Sequence, residues 1–395
     1  METGVVLTAT ELEGVHPASD WSLWVRSGRA PTSQGLVSFT DSWQEDLEQL
    51  AGLGISAIQI TLEWAALEPR PGAHDATAVE FRRDVLSAAR DHGLDVWACL
   101  IDGTLPGWFA DDEGGFVDDR ARSLLWPRHV DWIGEHFGDL VHGWVPQREA
   151  ISRAIDANWR AAAPPGGRDA TATAEAVRAA ILADGEAWRL LRGTAPVATY
   201  QTARLVTAAP DDVKATAPAT WLERLLWHSW LHALGDGEVV AGALPPRTAD
   251  HLRDAFDRVI VELRPAIQID GNGTWHPHPA DATVGPTGWA PWPEAAAEAL
   301  LRVADELGDR AVVAAGNLAD VADDGNARPD HQQALCELTG EAAATTSVMG
   351  WWQSSPIDGY HWRRGGEVNP GVVDRQRVER PEAQKLRVSS ASAAG

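Results

Sequence analysis

Residues 41–62, DSWQEDLEQLAGLGISAIQITL, read as a helix followed directly by a buried strand. Trp43, Leu47 and Leu50 recur at helical spacing, Gly52 and Gly54 stop the run, and Ala57–Leu62 is a short apolar stretch of strand length. The same alternation recurs outward in both directions. FRRDVLSAARDHG, closed by Gly93, and WPEAAAEALLRVADELG, closed by Gly308, are further helices. Apolar runs at Val5–Thr10, Asp95–Leu100, Leu140–Val145, Pro196–Gln201, Ala266–Ile269, Ala311–Ala315 and Ser347–Trp352 complete a set of eight candidate strands. At 395 residues the chain is either two or three small domains or one large barrel. No stretch is rich enough in Gly, Ser and Pro to be a linker, so residues 1–395 are expected to form a single domain. Strands alternating with helices at this length predict an α/β fold, a (β/α)8 TIM barrel with elaborated loops around 153–175 and 202–262. In such a barrel the residues just after each strand carry the chemistry.

Charge narrows the partners. The 57 acidic residues outnumber the 33 basic ones for a net charge of −24, which repels nucleic-acid backbones and anionic membrane surfaces. Only two lysines occur, Lys214 and Lys385, so positive charge is almost all arginine. Cys99 and Cys336 sit far apart in apolar surroundings and are expected as buried thiols, with no disulfide framework. The start, METGVVLTATELEG, lacks a basic segment followed by a long apolar run, and no stretch reaches membrane-span length. A cytoplasmic protein acting on a small molecule is the expectation, with no cofactor and no membrane or nucleic-acid partner.

The stretch WVPQREAIS, 144–152, looks like the end of a buried strand running into a loop with Arg148 beside Glu149. Taken alone, Glu149 is either a catalytic acid or a loop charge paired to Arg148. A set of ordered segments bears on the choice. QITLEWAALEPRPG resembles the second-strand signature of glycoside hydrolase family 1, the β-glucosidase-like retaining glycosidases, which often read close to SLEWARIEPxPG. LIDGTLPGWFADDEGGF is similar to that family's third-strand segment, HFGDLVHGWVPQREA to its fourth, and VMGWWQSSPIDGYHW to its eighth. The resemblance runs over nearly the whole chain and is weakest at 202–265.

The resemblance implies that Glu149 is the general acid/base at the end of the fourth strand. A retaining glycosidase needs a second carboxyl about 5 Å away as nucleophile. Where the family reads V/I-T-E-N-G on the seventh strand, this chain reads VAAGN and has Ala315, with Asp320 the nearest carboxylate downstream. An alanine cannot form a glycosyl-enzyme. Other family positions have changed with it: Glu11 stands for a sugar-gripping glutamine, Asp102 for a histidine, and Arg148 for the asparagine before the acid/base. Ala66 replaces the arginine that pairs with the nucleophile, Ser354 a platform tryptophan, and His361 a glutamate, while Trp362 is kept. IQIDGNG takes the place of the sixth-strand region, so the family tyrosine there has no counterpart.

These exchanges put Glu11, Asp102, Glu149 and Asp270 around the mouth, with Arg148 and His361 between them. That pattern predicts an anionic cup suited to an amine or amino-sugar ligand, with Trp362 and Trp351 as stacking faces. Trp108, Trp289 and Trp352 lie in segments expected at the same mouth. A hard divalent cation on the carboxylates is a less favoured alternative, and no metal ligand set is assigned. Plainer roles stand beside these: a helix cap for Asp102, a loop anchor for Arg148, a packed pair for His361 and Trp362. Two functions follow. One is a repurposed acid/base enzyme carrying out elimination, isomerisation, cyclisation or water-activated hydrolysis on a sugar-like or amine-bearing molecule. The other is an inactive binding protein on the same scaffold.

Overall fold

The short apolar runs close into one sheet. The computed structural model describes residues 1–253, 255–323 and 325–387. Eight strands, Glu2–Leu7, Ala57–Thr61, Asp95–Asp102, Gly143–Arg148, Ala198–Ala203, Arg258–Leu263, Val312–Gly316 and Val348–Ser354, pair in chain order and all in parallel. The eighth closes on the first, Glu2 lying opposite Gly350 and Val6 opposite Ser354. This is the (β/α)8 barrel expected from the helix–strand alternation. Helices Phe39–Ala51, Ala76–Asp91, Trp126–Phe137, Ala170–Leu191, Pro293–Leu307 and Ala327–Thr345 pack outside it. Among the described residues no helix is long and apolar enough to cross a membrane.

One strand was expected in the wrong place. The sixth barrel strand is Arg258–Leu263, and Ile267–Ile269 instead lies in a small outer sheet between Val206–Ala208 and Trp275–Pro277. A four-residue apolar run carries no information on which sheet it joins. RVIVEL, rich in β-branched residues, takes the barrel position despite the charge of Glu262. Boundaries also moved. The fourth strand runs on to Arg148 and the third to Asp102, because strand ends facing the barrel mouth are polar and an apolar criterion cuts them off.

The barrel lumen is filled by Val6, Trp97, Cys99, Val145, Tyr200, Ile260, Val313, Ala315 and Trp352. Trp97 and Trp352 meet there with ring centroids 6.1 Å apart. Room for Trp352 comes from Gly4, where a Cβ would sit 2.6 Å from the indole. Between sheet and helices lies the larger apolar layer, which includes Trp351. Cys99 and Cys336 are buried and outside any disulfide.

Candidate active site

At the C-terminal mouth the strand ends surround a cavity of about 530 Å3. Glu11, Asp102, Arg148, Glu149, His361 and Trp362 all line it, as their positions after strands one, three, four and eight require. Four residues expected there do not. Trp351 points outward from the eighth strand into the sheet–helix layer and is fully buried, since neighbouring residues of a strand face opposite sides. Asp270 belongs to the outer sheet, not to the barrel, and its carboxylate caps the turn by accepting from the amides of Asn272 and Thr274. Trp108 and Trp352 are likewise buried away from the cavity, whereas Trp289 lines it together with Trp21 and Trp275.

Glu149 ends the fourth strand with a left-handed backbone, φ 49° and ψ 36°. For a residue with a Cβ that conformation costs on the order of 1 kcal/mol. It turns the chain into helix Ala150–Asn158, and the amide of Glu149 donates to the Tyr200 carbonyl at 3.0 Å. The carboxylate is gripped by Arg264, Nε to Oε1 at 3.1 Å and Nη2 to Oε2 at 2.5 Å, and accepts from Thr202 Oγ1 at 2.7 Å. Burial opposes its charge, but Arg264, Arg148 and these hydrogen bonds prevail and pull the carboxyl down to about 2. Glu149 is therefore a fixed anion at neutral pH.

Arg148 is the hub of the floor. Its Nη1 donates to Asp102 Oδ1 at 3.2 Å, its Nη2 to Glu262 Oε2 at 3.0 Å, and the same Nη2 lies 3.7 Å from Glu149. Thr61 Oγ1 supplies Asp102 with a second hydrogen bond at 3.1 Å. Glu262, which sequence reasoning missed, accepts from Tyr200 at 2.5 Å and from Ser354 at 2.6 Å. It is fully buried beneath the cavity. The available signal was a lone carboxylate inside the run VIVEL, since an unpaired charge is not buried in a strand. Ala315, opposite Glu262 in register, is buried in the lumen and contributes nothing to the cavity wall.

Glu11 behaves differently from Glu149. It sits half-buried on the short helix Ala9–Glu13 and accepts from Ser355 Oγ at 2.6 Å. Burial outweighs Arg148 and Ser355 and raises its carboxyl to about 7. His361 is lowered to about 4, by burial first and then by Arg363, Arg264 and Arg364. It is neutral at pH 7. Its Nδ1 accepts from the amides of Arg363 and Arg364, at 3.4 and 3.2 Å, which leaves Nε2 as the protonated nitrogen. Trp362 meets Trp21 edge to face at 4.9 Å. Its ring also presses on Gly103, where φ is +82° and a Cβ would stand 2.7 Å away, so only glycine fits.

The cup is not anionic. Arg148, Arg153, Arg160, Arg204, Arg264, Arg363 and Arg364 line it, seven cations against the five carboxyl groups of Glu11, Asp102, Glu149, Asp156 and Asp320. Arg153, on the helix Ala150–Asn158, and Arg160, Arg204 and Arg264, on loops, lie outside the aligned motifs, so their charge was invisible in the aligned positions. Interleaving guanidinium groups also separate the carboxylates, and among the described residues no group of three or more His, Cys, Asp or Glu could hold a metal ion.

A parallel eightfold barrel with a deep polar cavity at its C-terminal mouth is a scaffold of the enzyme type. Residues 31–238, more than half the chain, match the Glycosyl hydrolase family 1 model, and the chain belongs to that family. It is 23% identical over 202 residues to Beta-glucosidase A of Thermotoga maritima, covering 48% of this chain and 45% of that one. It is 21% identical over 175 residues to Beta-glucosidase 4 of Oryza sativa subsp. japonica, covering 42% and 36%. The matches thus span less than half the length of these relatives. The fold is similar to that of a beta-glucosidase from Exiguobacterium marinum, with a TM-score of 0.87 and 17% identity over 99% of this chain and 98% of that one. Aphid myrosinase has a similar fold as well, with a TM-score of 0.85 and 14% identity over 99% and 98%.

Proposed function

We propose that this chain is an acid–base enzyme on the family 1 scaffold, acting on a small sugar-like molecule without a glycosyl-enzyme intermediate, with Glu11 exchanging the proton. The contrast between two carboxyls of one cavity carries the reading. Glu149 is locked as an anion by the Arg264 fork and Thr202, whereas burial leaves Glu11 at about 7 with one hydrogen bond from Ser355. A carboxyl near 7 gives and takes protons at neutral pH. Elimination, isomerisation, cyclisation and water-activated hydrolysis, in which water is the attacking group, need such a proton-exchanging carboxyl and no nucleophilic side chain. Double displacement needs both, and Ala315 supplies none. A second reading, ligand binding without turnover, is favoured by the arginine pairing of Asp102, Glu149 and Glu262.

The test has two stages. Aryl β-glucosides and β-galactosides should release no phenol, and a 2-fluoroglycoside trap should leave the protein mass unchanged. A covalent adduct would overturn the proposal. A thermal-shift screen of neutral, acidic and amino sugars then supplies ligands for turnover assays by NMR. Glu11→Gln should lower any turnover by about 100-fold or more while changing binding by less than about tenfold, or 1.4 kcal/mol. Full activity in Glu11→Gln removes Glu11 from the chemistry, and bound ligands that are never converted favour the binding protein.

A further inference from the structure

The arginines of the cavity are not equivalent. Arg264 holds Glu149 in a fork, and Arg160 donates to Asp156 at 2.6 Å. Arg204, which follows the fifth strand, is nine-tenths buried at 9% exposure and lines the same cavity. Among the described residues no side chain or carbonyl accepts a hydrogen bond from its guanidinium, and its Nε is sealed from solvent with no partner. The indole of Trp275 lies 5.2 Å away, a ring that Arg160 also overlies at 4.1 Å. The Nε1 of that indole is a second buried donor without an acceptor. Burial, with Arg264 and Arg160 nearby, lowers the Arg204 guanidinium to about 9 against the pull of Asp156 and Asp320, which favour its charge from beyond hydrogen-bonding distance.

A buried cation without a counter-charge is costly, and buried donors without acceptors add to the cost. The protein solves this for its other cavity arginines by pairing them, and here it does not. A guanidinium that lines the cavity with no hydrogen-bond acceptor among the described residues can take one from a molecule that enters the cavity.

We propose that Arg204 forms an anion subsite beside Trp275, and that the molecule this cavity takes is an acidic sugar whose carboxylate binds there. This rests on the reading of the cavity as a small-molecule site and supplies its substrate class. A planar guanidinium engaged in no hydrogen bond among the described residues matches a carboxylate, which it can hold through two parallel hydrogen bonds. Trp275 and Trp289, whose ring centroids lie 6.4 Å apart, line the cavity beside it.

Calorimetric titration of the full chain with glucose, glucosamine, glucuronate and glucose 6-phosphate tests this directly. Glucuronate should bind at least tenfold tighter than glucose or glucosamine, and no more weakly than glucose 6-phosphate. Arg204→Gln should erase the preference for glucuronate over glucose. The ratio of acid to neutral sugar is read within each protein, so the wild type alone decides the case where a variant does not fold. Equal binding of glucuronate and glucose overturns the subsite while leaving the small-molecule reading intact. Tenfold tighter binding of the phosphate overturns the carboxylate assignment, and a preference that survives Arg204→Gln overturns the residue. Binding of none of the four sugars removes both readings together.

Discussion

Glu149 shows how a residue can keep its place and change its character. The resemblance of its segment implies the place of a family 1 acid/base, and the fold puts it at the cavity wall. What the residue can do there depends on Arg264, 115 positions away in the chain. The pair is largely buried, with side-chain exposures of 13% and 28%, so breaking one side leaves an uncompensated charge. In a double-mutant cycle, Glu149→Gln and Arg264→Gln should each destabilise the protein, and their coupling should be about 2–3 kcal/mol. Urea unfolding of the four proteins measures it. Additive effects within a few tenths of a kcal/mol would mean the fork is solvated and Glu149 is available as a proton donor after all.

At the level of elements, the sixth strand holds the barrel mouth together. Glu262 accepts from Tyr200 on the fifth strand, from Ser354 on the eighth, and from Arg148 on the fourth. One buried carboxylate thereby ties four strands at the end where the barrel is open. Its replacement by leucine orphans two hydroxyls and half of the Arg148 pairing, so Glu262→Leu should cost about 3–5 kcal/mol in chemical denaturation. A cost below about 1 kcal/mol would mean that the network contributes little to holding the mouth. The alternation of helices and strands was legible from residues such as Leu47, Leu50 and Ile58, whose spacing is set by local geometry. The polar strand ends Gln147, Arg148 and Asp102 were not, because burial among one another is what makes polar residues acceptable there.

For the whole molecule, buried titratable groups oppose one another in pH dependence. Glu11, Glu63 and Asp184 are each raised to about 7. The fold keeps their protons while an unfolded chain loses them near 4, so they lower stability as pH rises from about 4 to 7. His331 and His361 are lowered to about 4, and His129 well below its usual value. They stay neutral in the fold while the unfolded chain binds protons below about 6.5, so they raise stability as pH rises from about 4 to 6.5. Three groups against three leave a nearly level stretch. Below about 4.5 the lowered carboxyl of Glu149 adds to the histidines, and stability falls as pH drops through about 2. Urea midpoints should be flat between about pH 4.5 and 6.5 and decline steeply below. A slope as large as one net proton across that stretch, about 1.4 kcal/mol per pH unit, would contradict the balance.

By itself the sequence determined the barrel, the cavity at its C-terminal mouth, the placement of Glu149, Arg148, Asp102, Glu11, His361 and Trp362 there, and the lack of a carboxylate at Ala315. These follow from short-range periodicity and from ordered motifs. Tertiary structure alone decided which of those groups are charged. Glu149 is held as an anion by Arg264, Glu11 stays near neutrality through burial, and the Arg204 Nε has no hydrogen-bond partner among the described residues. Ionisation depends on distances between side chains far apart in the chain and on the solvent they exclude, and neither is written in the order of residues.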